Sequence, residues 1–397
     1  MFRFFFIYVS LYWLFMVARR LIDPVLAMLG ESVFGLSENL DTVSTGSGDG
    51  VMAYLSLFLG LLVSLLATLI WSIVDQARSN YVKLQFWFLS TLRVLVAIFM
   101  LLYGFAKVFL IQFRTPSLTK MVQTVGEMSP MGLAWTFMGF NPIYTIFTGL
   151  LEVVAGLLLI FRPSKTLGAI LTVGVMGHVA MMNLCFDIPV KIFSLHLVLM
   201  GLILLVADRK RIAGLIGRLN KVAIEPEYHP IAIPIRKTIN KIKAFAIGFI
   251  LLGICFFGFV IQREYRKDQN LRDEHYGIYE IEDFTRTSST TLDTLNGDTW
   301  KYIIMERIAK ANIKTKDSLH AYHFIINLEE EAATVYKKDA DSIAPNFRIS
   351  KVSDRIYKLD GTIENDSISF KMKQMDLDKF PLISTGFRWV NETPFNR

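Results

Sequence analysis

Runs of about twenty apolar residues fill the first 261 positions of this chain: about 3–22, 51–73, 86–112, 143–161, 166–186, 189–207 and 241–261. Each matches a hydrocarbon core about 30 Å thick. Inside such a core every backbone N–H and C=O must be bonded within the segment, so these runs can fold only as helices. The first run ends at Asp23-Pro24. Its core, Phe4–Val17, is followed by Arg19-Arg20 instead of a small-residue cleavage site, so it reads as a retained helix rather than a signal peptide.

Charge between the runs suggests an orientation. Residues 74–85 hold Arg78 and Lys83, and the turn at 162–165 holds Arg162 and Lys165. Segment 208–243 carries Arg209, Lys210, Arg211, Arg218, Lys221, Arg236, Lys237, Lys241 and Lys243 against Asp208, Glu225 and Glu227. Basic loops favour the cytoplasmic face and anionic lipid. The acidic connection 31–50, with Glu31, Glu38, Asp41 and Asp49, then lies outside. The expectation is a multi-pass membrane protein with its N-terminus cytoplasmic and its last domain outside. Arg19-Arg20 and Arg263, Arg266 and Lys267 fall on the outer side, against this pattern. The net charge of +7 reflects the basic loops, and membrane lipids, not nucleic acid, are the expected partner.

The domain boundaries expected are 1–85 for the first helices and their outer loop, 86–207 for a four-helix core, 208–240 for the basic loop, 241–261 for a last helix and 262–397 for an outer domain. Ile224–Ile235, with Pro226, Pro230 and Pro234, reads as a semi-extended linker. Residues 113–142 are rich in Pro and Gly but contain the short apolar stretch Met131–Met138. That stretch is too short to span and suits an interfacial or re-entrant helix capping the outer end of the bundle. Cys185 and Cys255 lie in apolar runs without a CxxC spacing, so they read as buried thiols, not a disulfide or dithiol relay.

The last third changes solvent. Runs such as Tyr276–Phe284, Trp300–Ile304, Tyr322–Leu328, Ala333–Tyr336, Arg355–Leu359 and Ser367–Met372 alternate apolar and polar residues. Asn296-Gly297-Asp298, Asp360-Gly361 and Glu364-Asn365-Asp366 read as turns between them. This is an antiparallel pattern of roughly eight strands, a small barrel or sandwich. His320 and His323 are three apart in a strand and face opposite ways, so they are not a metal pair.

Ionisable and polar residues interrupt the apolar runs at Arg93, Tyr103, Lys107, Glu152, His178, Asn183, Lys191 and His196. A charge at mid-bilayer costs roughly 2.5–3.5 kcal/mol on insertion scales, so such groups mark a pairing or a function. Apart from Arg93, which sits deeper toward the cytoplasmic side, the alternating helix directions place them in the outer half of the membrane. Two readings stand side by side. In one, Lys107 pairs with Glu152 while Asn183 and the histidines tie helices together. In the other, Glu152 and His178 carry protons, and Lys107, Tyr103, Asn183 and His196 bind a carbonyl or quinol oxygen. Two membrane histidines without a motif do not make a haem or metal site.

The stretch Arg93-Val-Leu-Val-Ala-Ile-Phe-Met-Leu-Leu-Tyr-Gly104-Phe-Ala-Lys107, followed by Glu152-Val-Val-Ala-Gly156, resembles the first two helices of DoxX-like membrane proteins over about residues 86–207. The whole chain is similar to larger DoxX-type proteins of Bacteroidota, which add helices before the core and an outer β domain after it. Its last stretch, Phe387–Arg397, resembles the ending of that group, and Gly277–Phe284 with Trp300-Lys-Tyr-Ile resembles the opening strands of lipocalin-like barrels. The resemblance implies a mainly α membrane protein with a DoxX-like four-helix core. It implies structural roles for Arg93, Gly104 and Gly156. The family's named member is similar to a small subunit of a thiosulfate:quinone oxidoreductase. An accessory subunit of a quinone-linked redox system is therefore expected, with a quinone as candidate cofactor and a soluble or membrane redox protein as candidate partner. A transporter, a hydrophobic-ligand-binding protein, or a scaffold docking a soluble partner through the β domain are the alternatives.

Overall fold

The computed structural model describes residues 1–36, 47–78, 80–216, 233–270, 275–287, 299–307, 310–316, 318–337, 346–363, 366–385 and 392. The linker prolines 226 and 230, the turn 296–298 and the ending 387–397, except Glu392, lie outside them. The chain divides into two units. One holds residues 1–113, 129–135 and 142–258, and the other holds 114–128, 136–141 and 259–397.

Helices α1 Phe2–Val17, α2 Arg19–Phe34, α3 Val51–Val74, α4 Val82–Val108, α5 Leu118–Met121, α6 Pro130–Phe140, α7 Pro142–Ile160, α8 Lys165–Cys185, α9 Lys191–Ala207, α10 Arg209–Ile216 and α11 Ile233–Asn270 make up the first unit, except for α5, residues 136–140 of α6 and residues 259–270 of α11. Among the described residues, five segments are long and apolar enough to cross a membrane: Val51–Val74, Val82–Val108, Pro142–Ile160, Lys165–Cys185 and Ile247–Glu264. Several helices that could cross a bilayer are consistent with a multi-pass membrane protein.

Two expected spans differ. The first is not straight: α1 stops at Val17 and α2 leaves at 104°. The break falls at Ala18, where Arg19-Arg20 would otherwise be carried along the apolar run, and Pro24 sits inside α2 rather than ending α1. The helix α2 turns Leu26 and Gly30 inward and packs Leu26 on Met52 and Leu55 of α3. The run expected at 189–207 is the 17-residue helix α9, which rises only about 25 Å at 1.5 Å per residue.

Helix ends sort into two sets. At one end Arg3 donates to the Tyr81 hydroxyl and the Asp75 carbonyl, and Lys165 and Thr166 bind the Asp208 carboxylate. At the other, Asp49 accepts from the backbone N–H groups of Lys191 and Ile192 at 2.7 and 3.0 Å. Those donors have no partner within α9, so a carboxylate from the chain before α3 caps a helix distant in sequence. The core between the ends includes Val96, Ala97, Met100, Val153, Leu159, Met176, Leu197 and Met200.

Cys185 and Cys255 are both free, as expected, but exposed rather than buried. They sit on outward faces, which in a membrane bundle are apolar because lipid, not water, covers them.

The second unit contains a closed barrel of eight antiparallel strands joined in sequence order: β1 Gly277–Thr287, β2 Trp300–Arg307, β3 Lys310–Thr315, β4 Leu319–Asn327, β5 Ala332–Lys337, β6 Phe347–Ser353, β7 Ile356–Ile363 and β8 Asp366–Gln374, with β8 returning to β1. A bulge between Glu282 and Thr285, with Asp283 at φ 53°, bends β1. Inward residues fill the interior: Trp300, Ile303, Ile313, Phe324, Phe347, Leu359 and Phe370 are buried, with the Trp300 and Phe370 rings 5.4 Å apart. Asp360-Gly361 is not the turn expected there. It lies within β7, opposite Ser369 and Ile368, and the hairpin closes beyond Ile363. A Cβ at Gly361 would collide with the Asn346 carbonyl and the Phe347 ring, so glycine serves close approach.

Part of the Pro/Gly-rich segment belongs to this unit. Ile278 and Ile304 face out of the barrel and are covered by Leu118. Beside them Glu306 accepts from Thr119 at 3.1 Å, and Lys314 donates to Glu127 at 2.6 Å and to the Val122 carbonyl at 2.9 Å. The insertion seals an apolar outer stripe of β1 and β2 that water would otherwise meet.

Candidate functional site

One inward face of α4 carries Arg93, Ala97, Leu101, Gly104 and Lys107, and one face of α7 carries Gly149, Glu152, Gly156 and Leu159. The two helices cross with their glycines in contact. A Cβ at Gly104 would meet Val153 and the Gly149 carbonyl, one at Gly149 would meet the Lys107 Cβ, and one at Gly156 would meet Leu101. The absent side chains let backbones approach, as in small-residue membrane interfaces. That approach brings Lys107 Nζ to 2.5 Å from Glu152 Oε1, with the residues 4% and 1% exposed.

Glu152 Oε2 is buried and without a hydrogen-bond partner among the described residues, and so is Gln112 Oε1. Both residues line a cavity of about 60 Å³ with Lys107, Tyr103, Trp135, Asn183 and Ser194. A water needs about 10–15 Å³ of such space, so the cavity has room for several. Asn183 is fixed at its edge, donating to Ser194 Oγ at 3.0 Å.

Tyr103, Val190 and Phe193 also line a second, larger cavity of about 370 Å³. Its walls come from α1 (Tyr8, Tyr12, Phe15), from Arg19, Ile22 and Leu26 of α2, from Met52, Ser56 and Gly60 of α3, and from Phe99 of α4. The 104° bend between α1 and α2 sets their residues around one space. His196 stands behind this cavity. Its Nδ1 donates to the Ile192 carbonyl at 2.7 Å, which leaves Nε2 of the neutral ring to accept from the Tyr8 hydroxyl at 2.8 Å. Tyr12 stacks on the same imidazole at 3.8 Å between centroids. The site is thus an aromatic chamber with tyrosine hydroxyls, adjoining a small polar chamber built on an ion pair.

Lys107, Glu152, Tyr103 and Asn183 come together around the small cavity, and His196 reaches the large one through Tyr8 and Tyr12. His178 does not join them. It is exposed, two positions from buried Met176, so helical spacing turns it away from the core. Arg93 lies fourteen residues before Lys107, about 21 Å along α4, in a separate notch. Sequence reasoning missed Tyr8, Tyr12, Gln112, Trp135 and Ser194. Tyr8 and Tyr12 are four apart in an apolar run, and that spacing was the available signal. Among the described residues no group of three or more His, Cys, Asp or Glu is placed to hold a metal.

No family model and no solved structure matches the chain. A curated protein of Bacillus subtilis (strain 168), the uncharacterized protein YwoB, is 33% identical over 126 residues, covering 32% of this chain and 80% of that protein. The chain belongs to the YwoB family. The likeness covers about a third of its length, and the geometry of the helical unit carries the functional reading.

Proposed function

We propose that this is a DoxX-type accessory subunit of a quinone-linked redox system in a bacterial inner membrane, and that the aromatic cavity binds the quinone. The observation that carries this reading is the 370 Å³ chamber lined by Tyr8, Tyr12, Tyr103, Phe15, Phe99 and Phe193. Aromatic walls suit a flat ring, tyrosine hydroxyls suit its oxygens, and largely apolar pockets with a few placed polar groups are the usual ligand sites. Glu152, paired with Lys107 behind Tyr103, is the candidate proton carrier. The basic end of the bundle is cytoplasmic in this reading, with the barrel periplasmic. Because the barrel interior is filled by Trp300 and Phe370, the barrel acts here as a docking module for the redox partner, not as a ligand container.

The test is to purify the protein from its native membrane, extract it and quantify bound quinone. Ser56→Phe, which fills the chamber, lowers the extracted quinone severalfold without changing the melting temperature. No quinone in the wild type, or equal amounts in both, refutes the site. If quinone binds but Glu152→Gln and Lys107→Ala leave quinone reduction by the membranes unchanged, the redox role fails while binding stands.

A further inference from the structure

A third cavity, of about 50 Å³, opens at the other end of the helical unit between α4, α7, α8 and α9. Its apolar lining is Leu89, Leu159, Leu204 and Ala207. Its charged lining is Arg93, Arg162 and Lys165, with Asp208 the acidic residue among them. The Asp208 carboxylate is already engaged by Lys165 Nζ at 3.0 Å and Thr166 Oγ1 at 2.7 Å. Arg162 is held over the Phe86 ring at 5.0 Å, and Arg211 reaches the Pro163 carbonyl at 2.8 Å just outside. Arg93 is 7% exposed, so its guanidinium is held within the notch wall.

The lining therefore sums to two positive charges, from three cations and one carboxylate. The lining also includes Lys165, the first residue of α8, a 21-residue helix whose Ser164 N-cap makes no side-chain cap bond. Its first N–H groups and its dipole add positive potential at the same place. Guanidinium groups match phosphate oxygens in pairs, and basic pockets between membrane helices accept lipid headgroups. A lining that sets apolar side chains beside cations suits a phospholipid headgroup at the edge of the hydrocarbon.

We propose that this notch binds a phosphate-bearing anion, with an anionic phospholipid headgroup as the occupant. The site is independent of the quinone reading, because it shares no lining residue with the aromatic chamber.

The test is native mass spectrometry of the full chain in detergent, titrated separately with phosphatidylglycerol, phosphatidylcholine and inorganic phosphate. Wild type is compared with Arg162→Gln, Arg162→Gln/Lys165→Gln and, as a control outside the notch, Lys83→Gln. The expected result is retention of phosphatidylglycerol over phosphatidylcholine, weakened at least tenfold in the double variant and unchanged by Lys83→Gln. Phosphate at millimolar concentration leaves the lipid bound if the headgroup is the occupant. If phosphate alone binds and displaces it, the lipid assignment is overturned and an anion site remains. Equal retention of both lipids, or undiminished phosphatidylglycerol binding in a double variant that melts like wild type, overturns the proposal.

Discussion

Lys107 and Glu152 offer a direct measure of how the helical unit is held together. Two unit charges about 4 Å apart attract by about 4 kcal/mol at an effective dielectric of 20. Here both partners are buried, at 4% and 1% exposure, and one oxygen of the carboxylate has no other partner among the described residues. Lys107→Met leaves an uncompensated carboxylate, and Glu152→Met leaves an uncompensated ammonium. Either single change is expected to cost about 3–5 kcal/mol. The double variant removes both charges along with their desolvation and keeps unbranched side chains of similar length. It is expected to cost about 1 kcal/mol.

The assay is a double-mutant cycle on unfolding free energies in mixed micelles, with helix content followed by circular dichroism. The expected coupling is about 5 kcal/mol or more, so the second substitution rescues the first. Single costs that add to within about 0.5 kcal/mol would refute the pairing as a structural tie. Singles that cost little and a double that costs little would show instead that water reaches both groups.

Other outcomes follow from particular contacts. Gly149→Val places branched carbon against the Gly104 carbonyl and the Lys107 stem, and should cost about 2–3 kcal/mol in the same unfolding assay. Asp49→Ala removes two charge-assisted bonds to the start of α9, and should cost about 1–2 kcal/mol while speeding amide exchange at Lys191 and Ile192. The hydrogen bond from Lys314, and then the bond from the Thr124 backbone, hold the Glu127 carboxyl below the usual carboxylate range. A depressed folded value means this contact contributes fully above the ordinary carboxylate pKa and is lost as pH falls through the folded one. Amide exchange at residues 119–127 should therefore accelerate at acidic pH, and Lys314→Met should abolish that acceleration.

The helices and the barrel were legible because their periods are set by solvent. Lipid on one side and a packed core on the other leave apolar runs about as long as the bilayer is thick, and water outside a barrel leaves alternation. What failed was local. The period of β7 runs on through Asp360-Gly361, but the dipeptide looks like a turn, and the Asn346 carbonyl and Phe347 ring at the start of the neighbouring strand β6 explain the glycine. The β3 run Lys310–Thr315 gave too short an alternation, Ala311 and Ile313, to stand out. Depth along a membrane helix could be read from turn to turn, which separated Arg93 from Lys107 correctly. Facing could not, because lipid and core are equally apolar. His178 and Asn183 look alike in the sequence, yet one is exposed and the other is 2% exposed and bonded to Ser194.

The same ambiguity explains why the aromatic chamber was missed. In a water-soluble protein, Tyr8 and Tyr12 in an otherwise apolar stretch would mark a boundary between core and surface. In a bilayer they mark something else, since a hydroxyl facing hydrocarbon loses its hydrogen bonds with nothing in return. Tyr8 meets that cost by donating to His196, whose other nitrogen is fixed by the Ile192 carbonyl. His196 in turn cannot be placed without α1, because both rings that contact it come from there. The first helix therefore completes the site rather than decorating the bundle. Removing it would leave the imidazole in α9 with one nitrogen unbonded, and Tyr103 would lose the α1 wall of the chamber it lines.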